Sequence, residues 1–411
     1  MTKENRQTGE NLLNIKEIWR HPGFSRLWFI GTASGSARWL EVLCFSVFAW
    51  QLTANASLAG LIMGARMAGV VIAGIVFMFI GGRISGQLVM LFMHVVTGVA
   101  CAFVFLPFVD NNQLALNYAV ISFLSGMLWS TDFSFRRRML ADRLPDRLVS
   151  SGVGMDVMSS HATRLVATLL GGAILGFGDE LILLGLLCFL YLGSGVFLLF
   201  EKDNAAVNSA GPFSTIRAVL LQARREKSIL TVLMLTPVYN VFVLPYLALI
   251  ALIFLENFQT TESFAASLAS VEGAGAVVGG ILISSLPVSR PRLVFMLSTA
   301  SFLLVLVLIS NSPFIMGLIG MLFVAGMLSS IYSSMQSTLI YQNSIDDLRS
   351  PTLSLMTLFI GTGILGALNV SWMGLHMTVS NVITLMALEG FVVFLLMILF
   401  LRYLYDTDDG T

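Results

Sequence analysis

Ser57-Leu-Ala-Gly-Leu-Ile-Met-Gly-Ala-Arg66-Met-Ala-Gly-Val-Val-Ile-Ala-Gly-Ile75 decides how this chain is read. A helix needs about 20 apolar residues to cross the hydrocarbon of a bilayer. This stretch is apolar enough, yet it carries an arginine at its middle. It returns half a chain later as Ser263-Phe-Ala-Ala-Ser-Leu-Ala-Ser-Val-Glu272-Gly-Ala-Gly-Ala-Val-Val-Gly-Gly-Ile281. Ser57/Ser263, Ala59/Ala265, Ala68/Ala274, Gly69/Gly275, Val71/Val277, Gly74/Gly280 and Ile75/Ile281 are identical pairs. Where the first copy has an arginine, the second has a glutamate.

Outward from these two segments, apolar runs between polar punctuation give twelve spans: 26–52, 56–80, 86–108, 114–137, 149–176, 181–200, 229–255, 262–286, 292–310, 313–341, 351–376 and 379–403. Composition agrees. Of 411 residues, 56% are hydrophobic and 11% charged, with a mean hydropathy of +0.86. A soluble domain averages about a quarter charged residues. Lys+Arg and Asp+Glu are both 23, so there is no net charge to attract a polyanion. These values exclude a soluble enzyme, a disordered chain and a nucleic-acid binder. The expected class is an all-α membrane protein, because a helix satisfies its own backbone inside lipid.

The cations test the count. Lys3, Arg6, Lys16, Arg20 and Arg26 precede the first span. Arg83, the Arg136–Arg147 cluster, the Lys202–Lys227 group, Arg290 and Arg292, Arg349 and Arg402 fall at alternate connections. The intervening loops, 53–55, 109–113, 177–180, 256–261, 311–312 and 377–378, hold no Lys or Arg. The positive-inside rule places both termini in the cytoplasm. Residues 1–20 are polar and show no cleavable leader, so the first span is expected to stay as an anchor. The longest polar break, 201–228, contains an expected amphipathic helix over Thr215–Lys227. It separates a six-helix half (1–200) from a linker (201–228) and a second six-helix half (229–411). Parallel-related six-helix halves are an architecture of secondary transporters, which bind solute at midplane between them.

Cys44, Cys101 and Cys188 sit in apolar runs and read as small buried hydrophobes. There is no GxxxxGK[ST], no HExxH, no Cys/His cluster and no Ser/His/Asp arrangement. The chain is therefore read as a non-enzyme without cofactor or metal.

Charges at bilayer depth are costly, and they are tolerated where they face protein or water. Arg38, Glu41, Arg66, His161, Arg164, Glu272 and Glu389 fall near span centres, with Asp132 and Asp156 nearer the cytoplasm. Arg38 and Glu41 are i,i+3 and share a face, where they could also form one neutral pair. Asp156, Ser160 and Arg164 form a stripe at i, i+4 and i+8. Arg66 and Glu272 occupy matching repeat positions and are expected to face each other across a central cavity. Arginine stays protonated and offers a planar fork for anions. Arg38, Arg66 and Arg164 are candidate substrate anchors, with Trp39, Tyr239 and Asn240 as cavity neighbours. A carboxylate in an apolar cavity can load and release a proton. Glu272 and Glu389, then Glu41 and Asp156, are the proton-coupling candidates. Asp132 and Arg136 read as a cytoplasmic gate.

The whole chain resembles the major facilitator superfamily, and within it the bacterial exporter branch that includes the enterobactin exporter. The resemblance is carried by His21-Pro22-Gly-Phe24-Ser-Arg26-Leu-Trp28, by Trp50-Gln-Leu-Thr-Ala-Asn-Ala-Ser57, by Phe133-Ser-Phe-Arg136-Arg-Arg-Met-Leu-Ala-Asp142-Arg-Leu-Pro145 and by Gly326 to Gln342. Two departures stand out. The loop Gly81-Gly82-Arg83-Ile-Ser-Gly86-Gln87 keeps the gating arginine, Arg83, and lacks the family's acidic partner. Ala167-Thr168-Leu-Leu-Gly171-Gly172 keeps the paired glycines of antiporters and lacks the preceding proline. The resemblance implies a major facilitator fold and alternating access. The expected function is proton-coupled export of a small amphipathic or anionic solute by a monomer in the bacterial inner membrane. Its partners are then the solute, protons and the lipid bilayer. Import, or flipping of lysolipid, is the alternative on the same fold.

A green fluorescent protein fused after Thr411 should fluoresce, and alkaline phosphatase fused there should be inactive. The reverse pattern would overturn the assigned orientation.

Overall fold

The computed structural model describes residues 17–80, 84–103, 111–177, 180–201, 212–285 and 288–408. Among these, every regular element is helical. Helix α1 is Pro22–Thr53, α2 Ser57–Ile80 and α3 Gly86–Ala102. Helix α4 is Asn111–Thr131, continued by a π-helical turn, Asp132–Arg136, and by Arg137–Asp142. Helix α5 is Asp146–Phe177, α6 Glu180–Leu198 and α7 Pro212–Arg225. Helix α8 is broken into Lys227–Phe242, a 3₁₀ turn Leu244–Ala248, and Ile250–Phe258. Helices α9 Glu262–Ser285, α10 Pro291–Ser310 and α11 Ile315–Asn343 follow. Helix α12 is Asp346–Gly361 and Gly363–Met373, and α13 is Val379–Asp408.

Leaving out α7, these are the twelve membrane-crossing segments. Nine meet strict length and apolarity limits among the described residues. Helices α1 and α5 fall short because of their internal charges, and α3 is a short apolar helix. Helix α7 occupies the expected amphipathic stretch, starting at Pro212 rather than Thr215 because proline suits a first helical turn. Val219 and Ala223 bury against Ile229, Leu233 and Leu355, while Leu220 and Leu221 stay exposed.

The repeat is visible in backbone geometry. Helices α1 and α8 end at Ala54 (φ 52°) and Gln259 (φ 47°), the two non-glycine residues with left-handed backbone among those described. Both precede the repeated helices α2 and α9. Those helices then cross α4 and α11 with almost no gap. A Cβ on Gly69 would lie 2.0 Å from the Phe123 carbonyl oxygen, and one on Gly126 would lie 2.0 Å from that of Arg66. In the second half, Gly275 meets Phe323 at 2.0 Å and Gly326 meets Glu272 at 1.9 Å. Small residues allow such close approach of helices in a membrane.

The halves join along two seams, α2 against α12 and α5 against α9. At the ends assigned to the outside, Gln51 donates to Glu262 at 2.6 Å and Ser263 donates to the Gly172 carbonyl at 2.7 Å. Ser57 and Ser371 hydroxyls meet at 3.2 Å. Near mid-membrane, Gly273 lies against the Leu165 backbone. A single apolar cluster runs through both halves.

Gly126→Ala and Gly275→Ala should each destabilise the protein by about 1–3 kcal/mol or more, because the added methyl meets backbone that cannot step aside. Gly193 and Gly320 have open space, and alanine there should be neutral or slightly stabilising. Thermal unfolding in detergent checks the contrast.

Candidate functional site

Arg66 does not face Glu272. It turns into its own half, where one guanidinium nitrogen forms an ion pair with Glu41 of α1 and the other donates to Ser125 at 3.1 Å. Ser122 donates to Glu41 Oε1 at 2.7 Å, and Tyr191 of α6 donates to Oε2 at 3.1 Å. Arg66 and Glu41 are 2% and 0% exposed. The expected position across the cavity is corrected by this network. Four helices supply every bond that the buried pair needs, so both charges are held inside one bundle. The alternative i,i+3 pair of Arg38 with Glu41 is not formed either, since Glu41 is taken by Arg66.

The acid of the second half meets a different arginine. Arg164 Nη2 of α5 lies 2.7 Å from Glu272 Oε1 of α9, and the two residues are 5% and 1% exposed. The pair bridges the two halves at the level where Gly273 touches Leu165. It is close in distance but poorly aligned. Arg164 Nε and Nη2 and Glu272 Oε1 have no well-aligned hydrogen bond, and the Tyr246 hydroxyl lies beside Glu272. Beside it, His161 and Ser330 approach across the same seam at 3.3 Å. The Arg164 guanidinium lies over the Trp39 ring at 5.1 Å. Arg38 lies over Trp39 at 5.8 Å and over Trp129 at 5.1 Å, and among the described residues no carboxylate pairs with it. Trp39, the two arginines over its ring and Glu272 thus converge where the halves meet.

Tyr239 and Asn240 are packed within the second half. Tyr239 stacks on Tyr332 with centroids 3.7 Å apart, and Phe295 stacks on the other ring at 4.9 Å. Gln336 donates to the Thr236 and Tyr332 hydroxyls, and Asn240 donates to the Thr236 carbonyl. Tyr332 and Gln336 were missed by sequence reasoning. Their signal is the polar run Ser329-Ser330-Ile-Tyr332-Ser333-Ser334-Met-Gln336 inside an otherwise apolar span. Among the described residues, no group of three His, Cys, Asp or Glu side chains could hold a metal.

The sequence profile of the Major Facilitator Superfamily matches residues 27–368. The chain belongs to the major facilitator superfamily. No curated protein sequence matches it. Solved structures share the fold. A POT family transporter in complex with 5-aminolevulinic acid superposes with a TM-score of 0.71 at 11% identity, covering 93% of this chain and 96% of the other. The nucleoside transporter NupG gives 0.68 at 14%, covering 91% and 98%. A bacterial homologue of the human lysosomal transporter Spinster, inward-facing and unoccupied, gives 0.65 at 14%, covering 93% and 95%.

This major facilitator protein carries a second charged cluster toward the end assigned to the cytoplasm. Arg136, at the end of the π-helical turn, is clamped by Asp132 on its own helix and by Asp156 of α5. Its Nη1 and Nη2 donate to Asp156 at 2.7 and 3.1 Å, and Arg137 lies 3.5 Å from the same carboxylate. A Cβ on Gly31 would lie 2.4 Å from the Arg136 guanidinium carbon, so α1 needs glycine there. The expected stripe on α5 is therefore divided. Asp156 serves Arg136, and Arg164 serves Glu272. Arg83 lies outside the described residues. Glu389 accepts from Asn369 at 2.7 Å between α13 and α12, away from the Arg164–Glu272 junction. At the rim assigned to the cytoplasm, Glu201 joins Arg26 at 3.1 Å and Arg143 at 3.2 Å. Burial raises its carboxyl above the usual range, and the two arginines oppose that rise.

Glu41→Gln should lower stability by about 3–5 kcal/mol, because it leaves the Arg66 charge buried without its partner. Adding Arg66→Met should recover much of that loss. Thermal unfolding of the single and double variants checks both.

Proposed function

We propose that this protein is a proton-coupled secondary transporter that moves a small amphipathic or anionic solute by alternating access. The observation that carries the proposal is the Arg164–Glu272 pair, which is buried, bridges the halves and is incompletely hydrogen-bonded. Two charges at this depth are tolerated while they touch. Parting the halves strips each of its partner. A proton on Glu272 removes that penalty on one side, and a solute group removes it on the other. The pair thereby links opening of the seam to both ligands.

The sign of coupling follows from the solute. A solute whose hydrogen-bond-donating group occupies Glu272 competes with the proton, which gives exchange and supports export. The motif resemblance to the bacterial exporter branch favours this direction, with the protein a monomer in the inner membrane and both termini cytoplasmic. A second reading, import together with protons, is favoured by the same pair. A solute anion that takes Arg164 from Glu272 leaves a carboxylate that binds a proton more readily. Under either reading, Arg136 with Asp132 and Asp156 is the cytoplasmic gate, and residues 201–228 tether the two halves.

Glu272→Gln in proteoliposomes should abolish transport driven by a pH gradient while leaving counterflow exchange largely intact. Gradient-driven flux at the wild-type rate would remove Glu272 as the coupling group.

A further inference from the structure

Three buried arginines of the first half hold carboxylates. Arg66 has Glu41, Arg136 has Asp132 and Asp156, and Arg164 has Glu272. Arg38 differs from these three in having no carboxylate partner among the described residues. Its guanidinium lies over two indoles, Trp39 and Trp129, and its Nε is buried without a hydrogen-bond partner. Trp39 Nε1, on the neighbouring residue, is also a buried donor without an acceptor. Arg38 Nη2 reaches back along α1, where a Cβ on Gly35 would lie 3.7 Å from it and 3.3 Å from the Thr163 hydroxyl of α5.

Stacking uses the face of a guanidinium and leaves its N–H donors in the plane. Those donors match the spacing of two oxygens on one acid group. Buried donors without acceptors are costly, so a cluster of them calls for an acceptor. We infer that Arg38 is the specificity-determining residue of the midplane site and that the solute carries an oxyanion, a carboxylate or a phosphonate, on an apolar or aromatic body. The in-plane donors of Arg38 take the acid group, and Trp39 and Trp129 wall the body. Arg164 is not required as the first anchor, because Glu272 already holds it. This inference rests on the reading that the midplane junction is the solute site.

The test uses the full-length protein in detergent and three probes of one shape: 1-naphthoate, its neutral carboxamide and 1-naphthylmethylammonium. Calorimetric titration should show the acid binding at least tenfold tighter than the amide, about 1.4 kcal/mol, with the ammonium weakest. Arg38→Gln should erase the difference between acid and amide. Arg38→Lys should keep a preference for charge but a smaller one, since an ammonium cannot form the two parallel bonds. Equal binding of acid and amide by wild type, including binding of neither, overturns the inference without recourse to any variant. An acid preference that survives in a folded Arg38→Gln protein also overturns it. Gradient-driven flux of a neutral or cationic solute would sink this inference and leave the transport reading standing. Acid-selective binding with no flux would do the opposite.

Discussion

A charge inside a bilayer is costly without a counter-charge, a polar partner or water, and most of the interior of this protein is arranged by that constraint. Two of its ion pairs stand near mid-membrane and differ in one respect. Glu41–Arg66 lies within one bundle and is wrapped by Ser122, Ser125 and Tyr191. Arg164–Glu272 lies between bundles and has polar atoms left over. The first behaves as a fixed part of the scaffold. The second is the contact that must break if the halves separate at this seam, and in the proposed mechanism its protonation sets which state is populated.

The internal repeat explains how one fold acquired these two kinds of pair. Gly69 and Gly126 seat α2 on α4, and Gly275 and Gly326 seat α9 on α11 in the same way. Arg66 and Glu272 therefore sit at the same place in equivalent crossings. The backbone is repeated, but the side chains were given different neighbours. Arg66 reaches Glu41 and Tyr191 in its own half. Glu272 reaches α5 of the other half and lies beside Tyr246 of its own. Such asymmetry concentrates the uncompensated chemistry at one seam.

Much of the fold was legible in the residues. Long apolar runs, cations confined to alternate loops and the two copies around Arg66 and Glu272 were enough for twelve membrane helices. The site was legible only in part. Depth along a helix follows from counting at 1.5 Å per residue, which picked out Arg38, Arg164 and Glu272, and the structure groups these three around Trp39. Facing could not be counted in the same way. Equivalence of Arg66 and Glu272 in the repeat suggested that they oppose each other, whereas an internal repeat equates places within each half and says nothing about contact between halves. Glu389 was chosen for its depth, and its partner Asn369 belongs to a neighbouring helix rather than to the junction. Ser122, Ser125 and Tyr191 were invisible because single hydroxyls in apolar helices are common, and only the packing shows which of them meet a carboxylate.

The central claim is that the Arg164–Glu272 contact holds the two halves closed. Nitroxide labels at Thr53 and Thr261, exposed residues beside the Gln51–Glu262 contact between the halves, report that closure as a distance distribution in electron double resonance. Lowering the pH in the wild type, or replacing Glu272 with Gln at any pH, should move population toward longer distances. Distributions that are identical in wild type and Glu272→Gln at every pH would contradict the account.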